Sequence, residues 1–99
     1  MSDIQIQIRC RDEQYRRIVD YAREKVETAL RHTSRPILYA RVWLDRSADP
    51  AVARPAEASV EVDVNGTVIR ARADAPTQVE AIDLMQDRLR ARMARLTRH

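Results

Sequence analysis

Ninety-nine residues are enough for one domain with a single modest core and too few for two. With 44% hydrophobic residues the chain can fold alone, and with one tryptophan, three tyrosines and no phenylalanine its core must be aliphatic. One cysteine excludes an internal disulfide, one glycine excludes a glycine-rich phosphate loop, and no stretch approaches the ~20 apolar residues of a membrane helix.

The opening MSDIQIQIRC has no apolar run suited to a signal peptide, which predicts a cytoplasmic, reduced protein with no membrane partner. Residues 4–10 alternate: Ile4, Ile6, Ile8 and Cys10 share one face, and Gln5, Gln7 and Arg9 the other. That period of two predicts a half-buried strand, after which Asp12 can cap a helix. Over residues 13–32 the apolar positions Tyr15, Ile18, Val19, Ala22, Val26, Ala29 and Leu30 fall within about a third of a helical wheel. Ser34, Arg35 and Pro36 end this amphipathic helix.

Residues 37–46 form a second strand, with Leu38, Ala40, Val42 and Leu44 on one face and Ile37, Tyr39, Arg41 and Trp43 on the other. SADPAVARPAEA offers little to bury and reads as a loop. Residues 58–73 then carry a hairpin signal. Val60, Val62 and Val64 alternate with Glu61 and Asp63, and Asn65-Gly66 suits a type I′ turn, whose two central residues need positive φ. This turn sets Val64 opposite Thr67, Val62 opposite Ile69 and Val60 opposite Ala71, with Glu61 across from Arg70. A last helix begins near Thr77, where Thr77-Gln78-Val79-Glu80 has capping-box spacing. Its apolar stripe is Val79, Ile82, Met85, Leu89, Met93 and Leu96. The order β-α-β-β-β-α predicts an α+β two-layer domain, a four-stranded sheet with both helices on one face.

The charge is uneven. The formal net charge is +3, and 17 of the 18 basic residues are arginine, Lys25 being the exception. Codon usage in a GC-rich genome accounts for much of that bias, so composition permits a polyanionic partner without demanding one. Placement says more. RLRARMARLTRH, residues 88–99, holds five arginines and no carboxylate. Arg88, Arg92 and Arg95, spaced i, i+4, i+7, form one stripe flanking the apolar face, expected to stand outward beside the first helix. Arg90 and Arg98 lie on the other flank. Arginines complement a helix C-terminus by ~0.3–1 kcal/mol each, but that effect fades within a turn and this run covers three. Like charges at i, i+4 also repel. The stripe therefore reads as an anion-binding surface, and nucleic acid is the obvious polyanion. On the first helix Lys25 and His32 share a flank, while Arg16, Arg23 and Arg31 are interleaved with Asp20 and Glu27.

Nothing in the chain assembles an enzyme. His32 and His99 sit near helix ends among arginines and suit the helix dipole better than a placed catalytic pair. Cys10, on an inward strand face, reads as a small buried hydrophobe. Asp83 and Asp87 read as salt-bridging surface residues. No Cys/His cluster has metal-ligand spacing, so neither a metal nor any other cofactor is expected.

With these elements in order, the chain resembles the ribosome hibernation-promoting factors and ribosome-associated inhibitors, over nearly its whole length. DYAREKVETALRHT is similar to the family's Asp-Tyr-Val-Glu-Glu-Lys followed by Leu-x-Arg-His, so Asp20, Tyr21, Glu24, Lys25, Arg31 and His32 take family positions. EAIDLMQDRLRARM is similar to Ala-Ile-Asp-Leu followed by Asp-Lys-Leu, through Ala81, Ile82, Asp83, Leu84, Asp87 and Leu89, with Arg88 in place of the lysine. The chain departs from the family at Arg9-Cys10-Arg11, where a glycine often follows the first strand, and in the proline-rich ADPAVARPAEA.

The resemblance implies a fold close to a double-stranded-RNA-binding core with one strand added. It also implies a factor that binds ribosomal RNA of the small subunit in the channel for messenger and transfer RNA, blocking translation in starvation or stationary phase. Lys25, Arg31, His32, Arg88, Arg92 and Arg95 are the implied RNA contacts, from a basic face shared by both helices. Residues 1–99 are then one ribosome-binding domain, either a short form or the N-terminal domain of a longer protein that forms a homodimer through a C-terminal domain. Two other readings stay open: a general double-stranded RNA binder, and a protein-interaction module whose outer sheet face carries Ile37, Tyr39 and Trp43. For those three, packing of an edge under the proline loop is the alternative.

Overall fold

The structure, a computed structural model, describes residues 4–11, 16–31 and 33–96; the expectations for Asp12, Tyr15, His32, Arg98 and His99 lie outside them. The elements run β1 (Ile6–Cys10), α1 (Arg16–Leu30), β2 (Ile37–Arg46), β3 (Ala56–Val64), β4 (Thr67–Ala75) and α2 (Gln78–Leu96). They form an α+β domain with a four-stranded sheet in the order β1-β2-β3-β4. β1 pairs parallel with β2, as the intervening helix requires, and the other pairs are antiparallel.

Strand alternation builds the core in rows. Ile6, Ala40, Val62 and Ile69 lie abreast, then Ile8, Val42, Val60 and Ala71, then Cys10, Leu44, Ala58 and Ala73. These side chains meet Ala22, Val26 and Leu30 of α1, and Ile82, Met85, Leu89 and Met93 of α2, in one aliphatic cluster. Both helices therefore cover one face of the sheet, and the other face is open.

Four expectations need correction. The segment around Ala56–Ala58, read as loop, is the start of β3, and both alanines are fully buried. With Ala71, Ala73 and Ala75 they make a floor of small side chains under α2, which lets the helix backbone come close. A window with little to bury alone is thus buried because a helix is laid on it.

Leu38, expected inside, is 57% exposed. The β2–β3 register shifts between Ile37 and Tyr39, so an extra residue on β2 turns Ile37 to the core and Leu38 out of it. Val79 is 41% exposed, because it lies on the flank of the α2 stripe; Ala81 and Gln86 take places on the buried face instead. Cys10 is half-buried rather than enclosed.

The hairpin is as its sequence predicts, down to the Val64–Thr67, Val62–Ile69 and Val60–Ala71 pairs. Asn65 and Gly66 have φ of 52° and 95°. The Asp63 carboxylate accepts the Gly66 N–H at 2.8 Å, and the Asn65 N–H donates to the Pro36 carbonyl at 2.8 Å, tying the turn to the start of β2. A Cβ on Gly66 would meet nothing within 4 Å, so its substitution isolates the backbone cost. Gly66→Ala should destabilise by about 1–2 kcal/mol, lowering Tm by roughly 4–16 °C in thermal denaturation. An unchanged Tm would mean that the turn is not held in the left-handed conformation.

Candidate nucleic-acid interface

The helix layer is assembled by a seam between α1 and α2. The Tyr21 hydroxyl donates to Asp83 Oδ1. Lys25 Nζ lies 3.7 Å from the same oxygen and 5.3 Å from the centroid of the Tyr21 ring. Gln86 Nε2 donates to the Lys25 carbonyl at 3.0 Å, and this buried amide is the polar member of the α2 core stripe. Tyr21, Lys25 and Asp83, separate in the two family-like motifs, thus meet at one point. Asp83, read from sequence as a surface salt-bridging residue, joins the helices.

The hydrogen bond to Asp83 raises the Tyr21 pKa above the ordinary 10.0, with burial and the carboxylate charge acting in the same direction. The folded state therefore holds the phenol proton more tightly than the unfolded chain. The resulting stabilisation is complete below the ordinary tyrosine range and is lost as pH rises through the raised value. Asp83→Asn removes the charge and the carboxylate acceptor. The Tyr21 ionisation, isolated by ultraviolet titration against a Tyr21→Phe control, should then move down toward the ordinary value. No movement would mean that the tyrosine and the aspartate do not pair in solution.

The pairs Tyr21–Asp83 and Lys25–Gln86 advance along both helices together, so α1 and α2 run in the same direction. At equal rise per residue, Arg31, just past the end of α1, comes level with Arg92 in the penultimate turn of α2. Arg31 closes α1, its N–H bonded to the Glu27 carbonyl at 3.0 Å; the side chain is exposed and lines a cavity with Ile4, Glu27 and Arg35.

Arg88, Arg92 and Arg95 do not stand beside α1, as expected, but on the opposite flank of α2. Asp83 and Gln86 occupy the α1 side. Arg88 Nη1 instead donates to the Arg72 carbonyl on the outer edge of β4. There it covers one backbone acceptor of an edge strand, a role that spacing cannot reveal. Arg92 and Arg95 are exposed and have no acidic partner among the described residues. Of the six expected contacts, then, Arg31, Arg92 and Arg95 are exposed with no ion pair among the described residues, Lys25 is held in the seam, Arg88 is held at the β4 edge, and His32 lies outside the described residues.

Among the described residues no group of three His, Cys, Asp or Glu side chains could hold a metal, and no helix is long and apolar enough to cross a membrane. What the helix layer offers is fixed positive charge in fork geometry, suited to phosphate.

A two-layer α+β domain with a parallel helix pair and an arginine-rich helix end is the class of protein defined by this geometry. The chain belongs to the Sigma 54 modulation protein / S30EA ribosomal protein family, whose model matches residues 6–99, and so to the hibernation-promoting factor group that its motifs resemble. It is similar to the Protein Y N-terminal domain of Thermus thermophilus, at 26% identity and a TM-score of 0.75 over 96% of this chain and 99% of that one. A ribosomal subunit interface protein from Coxiella burnetii shares the fold, with a TM-score of 0.77 over 97% of this chain and 100% of that one at 14% identity. Comparison with curated proteins gives no match.

Proposed function

We propose that this protein is a cytoplasmic, ribosome-associated factor that binds ribosomal RNA of the small subunit and blocks translation while ribosomes stand idle, in starvation or stationary phase. Residues 1–99 act as one ribosome-binding domain. Membership of the S30EA family supports the partner. The observation that carries the binding mode is the end of the helix layer. There Arg92 and Arg95 stand exposed without acidic partners among the described residues, Arg31 is brought level with Arg92 by the parallel helices, and α2 has no carboxylate beyond Asp87.

The proposed face is centred on that end rather than on a groove between the helices, since the seam is occupied by the Tyr21–Asp83–Lys25 cluster. Lys25 contributes by fixing the two helices against each other, and Arg88 by supporting the β4 edge beside the stripe. A general duplex-RNA binder would place cations at the start of the last helix, where this chain has Glu80 in the first turn. Co-sedimentation of Arg92→Glu/Arg95→Glu with small ribosomal subunits, alongside binding to free duplex RNA, tests the reading. Loss from the subunit together with weak duplex binding is the expected result.

A further inference from the structure

The helices leave the other sheet face uncovered, and the middle of that face holds the only tryptophan in the chain. Trp43 is 40% exposed on β2, flanked by β1 and β3. Its register partners are Arg9 on β1 and Ser59 on β3, while Arg41, two residues away on its own strand, pairs with Gln7. Gln7, Arg9, Arg41 and Trp43 frame an open depression of about 330 Å³. No residue of the proline-rich connection lines it, and Trp43 is too exposed to be enclosed beneath that loop.

Charge divides this face in two. On the β3–β4 half, Glu61 meets Arg70 at 2.8 Å and Glu57 meets Arg72 at 2.9 Å, so the charges are paired. On the β1–β2 half, Asp45 is taken up by Arg11 at 3.6 Å, while Arg9 has no acidic partner among the described residues and Arg41 approaches Glu61 only at 3.9 Å. Tyr39 is already engaged: its hydroxyl donates to Glu61 and Arg41 lies 4.7 Å from its ring centroid. The indole is the aromatic surface left available, and its neighbours on this face are Arg9, Arg41, Gln7 and Ser59 rather than apolar side chains. An apolar protein partner would find little beyond one ring to bury. An unpaired base can stack on the indole while its phosphate meets a guanidinium, the combination that binds single-stranded nucleic acid on sheet surfaces.

We propose that the open sheet face at Arg9, Arg41 and Trp43 is a second RNA site, distinct from the helix end, which takes an unpaired nucleotide by stacking its base on Trp43 and pairing its phosphate with Arg9. It leaves the two faces of the domain able to hold two separate RNA segments, one by charge and one by stacking.

Because Trp43 is the sole indole, its emission reports on this site alone. Titration with an unstructured oligouridylate of about ten nucleotides, within the usual site sizes for single strands, should quench it saturably. Arg9→Glu should weaken that binding roughly tenfold, and Arg92→Glu/Arg95→Glu should leave the quenching in place. Anisotropy of a labelled oligouridylate should show Trp43→Ala weakened roughly fivefold to a hundredfold, with Trp43→Phe recovering most of the affinity. Thermal melts of each variant would confirm that the fold is kept. Emission that does not change with RNA, or quenching indifferent to Arg9→Glu, overturns the proposal. So does an emission change that follows protein concentration without RNA, which would make this face a protein contact.

Discussion

Arg92→Glu/Arg95→Glu should lose co-sedimentation with small ribosomal subunits while melting at the temperature of the parent protein. Two exposed guanidinium groups without acidic partners among the described residues become two carboxylates in a segment that otherwise lacks them. Each charge-assisted hydrogen bond to a phosphate contributes ~1.5–3 kcal/mol, so losing two weakens binding about a hundredfold or more before repulsion is counted. The salt dependence supplies a second readout. Each phosphate contact released flattens the slope of log affinity against log salt by roughly one, so the double variant should be shallower by about two. Unchanged co-sedimentation would remove α2 from the interface altogether. Arg88 differs from this pair: it holds the Arg72 carbonyl, so its replacement disturbs the β4 edge as well as the charge.

The largest stability effect is expected from Leu89→Ala. Leu89 is fully buried between α2 and the sheet, and a Leu→Ala change at such a site costs about 2–5 kcal/mol through lost burial and the cavity left behind. For a domain of this size that is a Tm loss of roughly 8–40 °C, a large share of an ordinary stability margin. Val79→Ala, on the same helix and in the same predicted stripe, should change stability by only ~0.5 kcal/mol or less, since Val79 is 41% exposed. Urea denaturation of the two variants side by side checks the pair. Equal losses would mean that α2 is rotated so that Val79 faces the sheet as Leu89 does.

That contrast shows how far the pattern of residues carries. Ile82, Met85, Leu89 and Met93 were legible because a helix repeats every 3.6 residues and its apolar face must be covered. Val79 satisfied the same period and failed, because whether a flank position is buried depends on what lies beside it. Leu38 failed for a related reason: strict alternation assumes an unbroken ladder, and one extra residue in β2 reverses Ile37 and Leu38. The Asn65-Gly66 turn was legible to the pair, since its positive φ values and the strand alternation together admit one register.

The candidate site divides in the same way. The arginine-rich final helix is a property of the chain, visible as charge without compensating carboxylates over three turns. Which arginines are free is a property of the packing. Spacing put Arg88, Arg92 and Arg95 in one stripe, but contact with β4 engages the first and leaves the other two exposed. Tyr21, Lys25 and Asp83 lie 62 residues apart at their extremes and share no local pattern, so only the docking of one helix on the other brings them together. Local order, from periodicity, turn chemistry and caps, was written along the chain because each signal acts over a few residues. The free or engaged state of each charge, and the open face around Trp43, were decided by where the helix layer came to rest on the sheet, since burial and pairing depend on neighbours that the chain supplies from elsewhere.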